Sequence, residues 1–294
     1  MTRFARTLAF VMLFGLNAGA AERHHERLSL SLSNRAGLVT APFVTLAFPE
    51  VSGFGDALTA TAAVQFSALG WLHLSLPVAI VKLDFPAGAQ VTQAALGNVE
   101  FGLEHPIEPG PSTRVGLLAA LLAPTAEHGS KTALLDNRAL ALASTLSGGK
   151  DSALLTPGVM GLRLGVSVGH SARPFDLRAS LDLPLLVRVS DASLPDSTET
   201  HAIGIVPALE LKGTWWITSG FAASLGAALI IEAVRVQEPV LERDRNRRFQ
   251  PVAERGLQLR LGQHLVLDLD GNVPVGGALG GNAWSVGTHA RLGL

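Results

Sequence analysis

Apolar and polar residues alternate along one short segment after another between Asn98 and Leu294. In the segment 175–183 the odd positions are Phe175, Leu177, Ala179, Leu181 and Leu183, and charged or hydroxyl residues stand between them. Successive side chains of a β-strand point to opposite faces, so each such segment has one apolar and one polar face. Roughly a dozen repeats of this pattern predict a sheet with two chemically different surfaces.

A sheet of this kind has few stable arrangements. An open sandwich would either bury the polar faces or expose the leucines to water. In lipid, every backbone N–H and C=O needs a partner within the protein, so a spanning sheet must close on itself. The sequence therefore predicts an all-β fold, a closed antiparallel transmembrane β-barrel of about 12 strands. An even strand number places both termini on the periplasmic side.

The N-terminus is typical of a secretion signal. Arg3 and Arg6 precede a short apolar run at 8–16, and Ala18-Gly19-Ala20 fits a cleavage site. We expect a signal peptide at 1–20, an N-terminal periplasmic or plug segment at 21–36, and an outer-membrane barrel at 37–294. The alternating run at 27–33 leaves a further strand open, which would raise the count to 13 or 14.

Connector lengths favour the same fold. The twelve predicted strands lie near 38–48, 57–66, 71–83, 95–105, 114–123, 158–168, 175–187, 201–211, 214–231, 257–261, 265–270 and 284–294. Short turns alternate with long polar connectors, as in outer-membrane barrels. The uncharged segment 214–231 is long enough for a transmembrane helix. Its bulky residues stand mostly at odd positions and its small residues mostly at even positions. This period of two favours one long strand over a helix. The connector 125–156 leaves a helix or a further hairpin open.

Composition narrows the function. The chain has no cysteine, which excludes a disulfide framework and a thiolate metal site. Its net charge of −1 provides no field that would attract nucleic acid. The nine histidines are mostly far apart, so we expect no metal and no cofactor. Aromatic residues make up only 5%, fewer than the aromatic girdles of such barrels usually need.

The phase of the alternation predicts which charged side chains face the lumen. These candidates are Glu100, Glu104, Arg163, Asp176, Arg178, Asp182, Glu210, Arg260, Asp268 and Arg291, and Lys212 shares their phase. Five positive and six negative charges form no ring of one sign, the simplest source of ion selectivity. We expect a lumen partly filled by ion pairs. A 12-stranded barrel is intermediate between the filled 8-stranded barrel and the open porin.

Two serine motifs bear on catalysis. Gly165-Val166-Ser167-Val168-Gly169 matches the nucleophile elbow of hydrolases, but that motif needs a strand-to-helix turn, and Ser167 lies within an alternating strand. His170 and Ser171 are adjacent in a predicted turn, where neighbouring side chains diverge. We therefore expect no enzymatic activity.

Three segments resemble outer-membrane proteins of the meta-pathway phenol-degradation type. The segment 95–105 (ALGNVEFGLEH) resembles a glycine-acid motif that opens a strand in that family, and 121–125 (LLAPT) resembles the strand end that follows it. The segment 265–277 is similar to a hairpin near the family's C-terminus. Asn98 stands where that family usually has Asp, and Ala126 where it has Gly. The resemblance implies an outer-membrane barrel that passes small, often aromatic or hydrophobic, compounds.

Taken together, these features predict an outer-membrane barrel that allows passive passage of small molecules. Two alternatives stay open: an outer-membrane enzyme of the phospholipase type, and a structural or adhesive barrel that binds a partner through long loops such as 237–252. The expected partners are outer-membrane lipid and lipopolysaccharide, the barrel-assembly machinery and a small-molecule cargo. The basic run 242–248 suits contact with lipopolysaccharide phosphates.

Overall fold

The computed structural model describes residues 28–39, 52–65, 70–84, 90–126, 133–147, 149–190, 198–231, 233–234, 236–239, 249–262, 264–277, 280 and 283–293. The expected signal peptide and the run 242–248 lie outside the described residues. The strands are β1 (Leu28–Val39), β2 (Ser52–Gln65), β3 (Trp71–Asp84), β4 (Gln90–Leu96), β5 (Val99–Gly110), β6 (Thr113–Ala123), β7 (Val159–Ala172), β8 (Phe175–Arg188), β9 (Thr198–Thr200), β10 (Ile203–Ile205), β11 (Ala208–Trp216), β12 (Phe221–Ile231), β13 (Gln237–Pro239), β14 (Phe249–Leu261), β15 (Leu265–Pro274) and β16 (Ala283–Gly293). The helices are α1 (Ala133–Leu146) and α2 (Ser152–Leu155).

The wall is a closed antiparallel sheet. The neighbour order runs from β11 through β12, β14, β15, β16, β1, β2, β3, β5, β6 and β7 to β8, which pairs back with β11. β4 and β5 both pair with β3, and β10 and β11 both pair with β8, so each couple forms one wall strand. The wall therefore has twelve strands, and the predicted barrel is confirmed. β9 and β13 form a separate two-stranded sheet.

Both composite strands have a local reason for their break. Val78 pairs with Leu96, whereas Ser75, three residues earlier, pairs with Glu100, four residues later. One extra residue therefore forms a β-bulge between β4 and β5, which inverts the phase of the alternation. Between β10 and β11 the register is kept, and Pro207 supplies no N–H to the ladder.

The two ends of the barrel differ. At one end, which we call the short-turn end, tight connections such as 111–112, 173–174 and 217–220 join the strands. At the other, the long-loop end, the connections include 124–158 and 189–202. This asymmetry agrees with the predicted alternation of short turns and long connectors. No helix among the described residues is long and apolar enough to cross a membrane.

The connector between β6 and β7 enters the barrel. It contains both helices, and we call α1, α2 and the turn 147–151 between them the plug. α1 packs against the inner faces of β1, β2, β3, β4 and β16. Leu140, Leu142 and Leu146 on α1 are almost fully buried. Gly55 on β2 makes room for the plug, because a Cβ there would lie 2.5 Å from Leu142 Cδ2. The 125–156 connector thus contains helices.

The structure corrects three predictions about segments. Residues 28–36 of the expected plug segment 21–36 belong to β1, which pairs with β16 and β2 and closes the wall. Only 38–39 of the predicted strand 38–48 are described, and they end β1. The predicted single strand 214–231 is two strands, because β11 ends at Trp216 and the connection 217–220 turns the chain into β12. The odd–even alternation of bulky and small residues continues through that turn, which is why the sequence suggested a single strand.

The outer wall is strongly apolar. Exposed side chains on it include Leu121 on β6, Leu177 on β8 and Leu225 on β12, the last 74% exposed. Such a surface is compatible with acyl chains and incompatible with water over a large area. Arg255, in the middle of β14, is an exception: its neighbours Glu254 and Gly256 turn inward, and its own side chain is exposed beside Gly271.

Candidate functional site

The lumen, the space enclosed by the wall, is the candidate site, and its chemistry changes with depth. In the long-loop half the inner wall is apolar, with Val39, Val81, Leu83 and Ala283 packed around the plug in one core. The sequence predicted a polar lining throughout, and this half does not follow it, because the plug covers it with leucine and alanine side chains. Below the plug the lining is polar and charged.

Directly beneath the plug lies a network of ion pairs. Arg163 on β7 reaches two carboxylates: its Nη1 lies 3.0 Å from Glu100 Oε2, and its Nε lies 2.7 Å from Asp182 Oδ2. His73 Nε2 on β3 lies 3.1 Å from Glu100 Oε1. Glu100 is only 3% exposed, so its charge is neutralised by these partners rather than by water. The network links the four strands β3, β5, β7 and β8, which lie on one side of the wall.

A second set of charges holds the tip of the plug. Lys150, in the turn between α1 and α2, forms an ion pair with Glu254 on β14. The same ammonium lies 3.4 Å from Glu210 Oε2 on β11. Nearby, Arg35 Nη2 on β1 lies 2.6 Å from Asp270 Oδ2 on β15. We call the contact of Lys150 with the two glutamates the Lys150 latch.

The other side of the plug is fastened at the bulge. The Asn98 amide donates to Ala153 O at 3.1 Å and to Thr156 O at 2.6 Å, and its Oδ1 accepts from Ala126 N at 3.2 Å. The Asn98 backbone N–H donates to Leu154 O at 2.6 Å. Asn98 is fully buried, so these four bonds satisfy groups that water does not reach.

Two further contacts fix α1 itself. The Ser285 hydroxyl on β16 donates to Leu146 O at 2.6 Å, at the C-terminal end of the helix. The Gln93 amide on β4 donates to the Asp136 carboxylate in its first turn. The plug is therefore held to the wall at both ends of α1, at α2 and at the turn between the helices.

The short-turn half of the lumen contains a cavity of about 530 Å³, which we call the lower cavity. It is lined by parts of β6, β7, β8, β11, β14 and β15. Its charged lining residues are Arg114, Arg173, Arg178, Lys212, Arg260, Asp176 and Asp268. Five cations against two carboxylates give this part of the lumen a positive character. A smaller cavity of about 210 Å³, lined by Lys150, Glu210 and Glu254 among others, lies beside the latch.

The charges of the lumen are thus sorted by depth. Carboxylates dominate beneath the plug, where Glu100, Asp182 and Glu210 are paired, and cations dominate in the lower cavity. A count along the sequence, five positive against six negative, does not reveal this separation. This separation depends on how far along its strand, and so how deep in the barrel, each residue lies.

The structure places the predicted lumen residues in several groups. Glu100, Arg163 and Asp182 come together in one network. Glu210 joins the latch, and Asp176, Arg178, Arg260 and Asp268 line the lower cavity. Glu104 lies directly opposite Trp71 on β3. Arg291 is 2% exposed on β16, away from the open part of the lumen.

Sequence analysis missed several charged residues of the lumen. Arg35 fell in a segment assigned outside the barrel, Glu254 and Asp270 lay beyond or at the ends of strands drawn too short, and Lys150 lay in a connector. Continuing the alternation from 257–261 back to Val252 would have placed Glu254 on the inner face. No periodic signal marks Lys150.

The residues considered for catalysis in the sequence do not come together in one site. Ser167 lies in the middle of β7, opposite Gly116 and Ser180. His170 and Ser171 also lie in β7 rather than in a turn, so their side chains point to opposite faces of the wall. The His170 ring is 3.1 Å from the Thr113 hydroxyl on β6.

Known structures share this fold. No protein-family model matches the sequence, and no curated protein is significantly similar to it. An outer membrane channel from Pseudomonas putida F1 is similar with a TM-score of 0.64 and 10% identity, over 95% of this chain and 100% of that chain. The transport unit of the autotransporter AIDA-I from Escherichia coli is similar with a TM-score of 0.51 and 11% identity, over 99% and 96%. These likenesses show that the chain has the β-barrel fold found in outer-membrane proteins.

Proposed function

We propose that this protein is a gated channel for passive passage of small molecules across the outer membrane. The observation that carries the proposal is the division of the lumen: a polar cavity of about 530 Å³ at the short-turn end and a helical plug at the long-loop end. A cavity of this size accommodates a small organic molecule. The channel likeness in Pseudomonas putida supports the same conclusion.

The plug makes gating part of the proposal. Its apolar contacts fill the long-loop half of the lumen, so passage requires that the plug moves or loosens. The turn 147–151 meets the polar part of the lumen and is held there by charges rather than by apolar packing. Charge contacts across water-accessible space exchange with water and ions more readily than a packed core does.

The test is conductance of the purified, folded barrel in planar bilayers, together with swelling of liposomes in small sugars and organic acids. We expect rare openings from the native protein and frequent openings when the Lys150 latch is removed. A native protein and latch variants that are all folded and all silent would contradict a channel function.

The orientation belongs to the same proposal. We place the short-turn end and both termini in the periplasm, so that the plug faces outward and the lower cavity faces inward. Because the chain has no cysteine, a single Ser112→Cys change at the short-turn end provides a unique thiol. We expect an impermeant maleimide to label it only after the outer membrane is opened. Labelling in intact cells would reverse the orientation.

We assign assembly to the general barrel-assembly machinery, with a leader at 1–20 for export. A phospholipase-type activity has no supporting constellation among the residues described, since Ser167 and His170 lie on opposite faces of β7. Among the residues described, no feature of the long loops favours a partner-binding barrel over a barrel that passes small molecules.

A further inference from the structure

Two cations stand side by side on the inner wall, and no carboxylate among the described residues makes a close ion pair with either of them. Arg178 on β8 is paired directly with Lys212 on β11 in the register of the sheet, and both side chains line the lower cavity. Like charges directly opposite on neighbouring strands destabilise a sheet. Among the described residues neither head makes a hydrogen bond or a close ion pair, unlike Arg163 and Lys150 above them. Glu210 attracts both cations and Asp268 attracts Lys212, but only at longer range.

The surroundings of this pair are open. Across β8, Arg178 faces Gly169 on β7, and across β11, Lys212 faces Gly226 on β12. A Cβ at Gly169 would meet nothing closer than a backbone oxygen at 4.0 Å, so there is room for a guest beside Arg178. On the Lys212 side a Cβ at Gly226 would meet Leu211 O at 3.0 Å and Glu254 Oε2 at 3.5 Å, so the open flank is the one beside Arg178.

The other cations of the cavity are engaged differently. Arg260 lies over the Trp216 ring at 4.5 Å, and Arg114 Nε lies 3.3 Å from Glu108 Oε1. Trp216 also donates its indole N–H to Asp176, which holds one of the two carboxylates at the wall. The second carboxylate, Asp268, is opposed by Gln258 on β14. Arg173 in the turn 173–174 is a further cation of the same cavity. Arg178 and Lys212 are the two that stand directly opposite each other on adjacent strands without a close counter-ion.

The same cavity offers groups for the rest of a ligand. The Thr214 hydroxyl and the Gln258 amide line it near the two cations, and Trp216 and Ile217 provide apolar surface towards the short-turn end. A ligand with one anionic oxygen group and a small apolar body would meet complementary surface at both positions.

From this we infer that the Arg178–Lys212 pair is a binding site for a small organic carboxylate inside the lumen. The inference rests on the proposed channel function and names its cargo class. A bound carboxylate turns a like-charge contact into two charge-assisted hydrogen bonds. The site therefore explains why two cations without a close counter-ion stand next to each other at this depth of the barrel.

Direct binding tests the site separately from conductance. Sodium benzoate, the uncharged isostere benzamide, and inorganic phosphate are titrated by calorimetry into the folded protein. We expect benzoate to bind the native protein and to bind the double variant Arg178→Gln/Lys212→Gln at least 10-fold more weakly. Lys82→Gln, on the outer wall, is the matched control and should bind as the native protein does. Benzamide as tight as benzoate, or phosphate tighter than benzoate, would overturn the carboxylate assignment.

The dependence of the Tm on benzoate separates a binding site from a pair of cations that only affects folding. Without ligand, Lys212→Met should raise the Tm of the barrel because it removes the like-charge contact. Benzoate should raise the Tm of the native protein and leave that of the double variant unchanged. A lower Tm of Lys212→Met without ligand would show that the lysine has a structural partner and would contradict the site.

The two proposals fail in different ways. If the native protein conducts but benzoate binding and the anion-to-cation permeability ratio do not change in the double variant, the carboxylate site is wrong and the channel stands. If benzoate binds and the double variant loses it, while no latch variant conducts, the site stands and the channel function is wrong.

Discussion

Lys150 in the plug forms an ion pair with Glu254 on the barrel wall, while Leu146 before it and Ala153 after it are packed in an apolar core. The contact joins the turn of the plug to β14. It places the charge that holds the plug at the boundary between the packed and the water-accessible halves of the lumen.

Lys150→Met should increase channel opening. A hydrogen-bonded contact to a charged group is worth about 1.5–3 kcal/mol, so the ratio of open to closed states should rise roughly 10- to 100-fold. Single-channel recording measures this ratio, and Lys82→Met on the outer wall is the control. An unchanged open fraction in Lys150→Met would show that the latch does not hold the plug.

Gly55→Val should push the plug away from the wall. A Cβ at this position would lie 2.5 Å from Leu142 Cδ2 and 2.7 Å from Val81 Cγ1, and both are side chains rather than backbone. We expect a folded barrel with increased conductance and faster proteolysis within 133–156. Gly110→Val is the matched control, because a Cβ there meets nothing within 4 Å. Equal behaviour of the two variants would contradict the packing of α1 against β2.

Asn98→Asp should loosen α2. The carboxylate oxygens would face the carbonyls of Ala153 and Thr156, which now accept from the amide. Each buried carbonyl left without a donor costs about 1–3 kcal/mol. Hydrogen exchange of 149–156 should become faster by one to two orders of magnitude at this cost, with the exchange of β14 unchanged as internal reference. Unaltered exchange of 149–156 would mean that Asn98 does not fasten the plug.

Arg163→Met should destabilise the barrel by about 3–5 kcal/mol, because it leaves Glu100 and Asp182 without their shared cation in a buried position. Unfolding in denaturant, followed by tryptophan fluorescence, measures this loss. The triple variant Arg163→Met/Glu100→Gln/Asp182→Asn should recover much of the stability, since no uncompensated charge remains. If the single variant were as stable as the native protein, the network would contribute little.

Arg255→Leu should stabilise the barrel in a bilayer. A lipid-facing arginine at the middle of a transmembrane strand costs about 2–4 kcal/mol, and Arg255 lies at such a position on β14. Unfolding from liposomes compared with unfolding from detergent checks this, with the gain expected in liposomes. A loss of stability would mean that Arg255 makes a favourable contact at the outer wall.

The wall was predictable from the sequence because two solvents lie on its two sides. Leu177 and Leu181 lie on the apolar outer face while Arg178 and Asp182 face the lumen. Apolar and charged residues therefore alternate along the sequence of the strand. Strand ends were less accurate, since alternation fades where a strand leaves the membrane. As a result Glu254 and Asp270 were not placed on the inner wall.

The plug was not predictable in the same way. The run at 133–146 is rich in alanine and leucine, which favours a helix, but nothing in it indicates burial inside a barrel. The odd–even pattern of side chains also cannot predict the bulge at Gly97–Asn98, because one extra residue there exchanges the inner and outer faces of the strand. The partners of Asn98 and Lys150 come from segments distant along the chain, so only the folded structure brings them together.

The plug is inserted between β6 and β7, which are immediate neighbours in the wall. The end of β6 and the start of β7, from which the plug connection leaves the wall, therefore lie next to each other on one rim. Swinging out of the lumen requires no threading of the chain and no opening of any wall seam. None of the twelve strand pairings that close the wall involves α1 or α2, so the proposed opening leaves every pairing in place and changes only contacts that one connection makes.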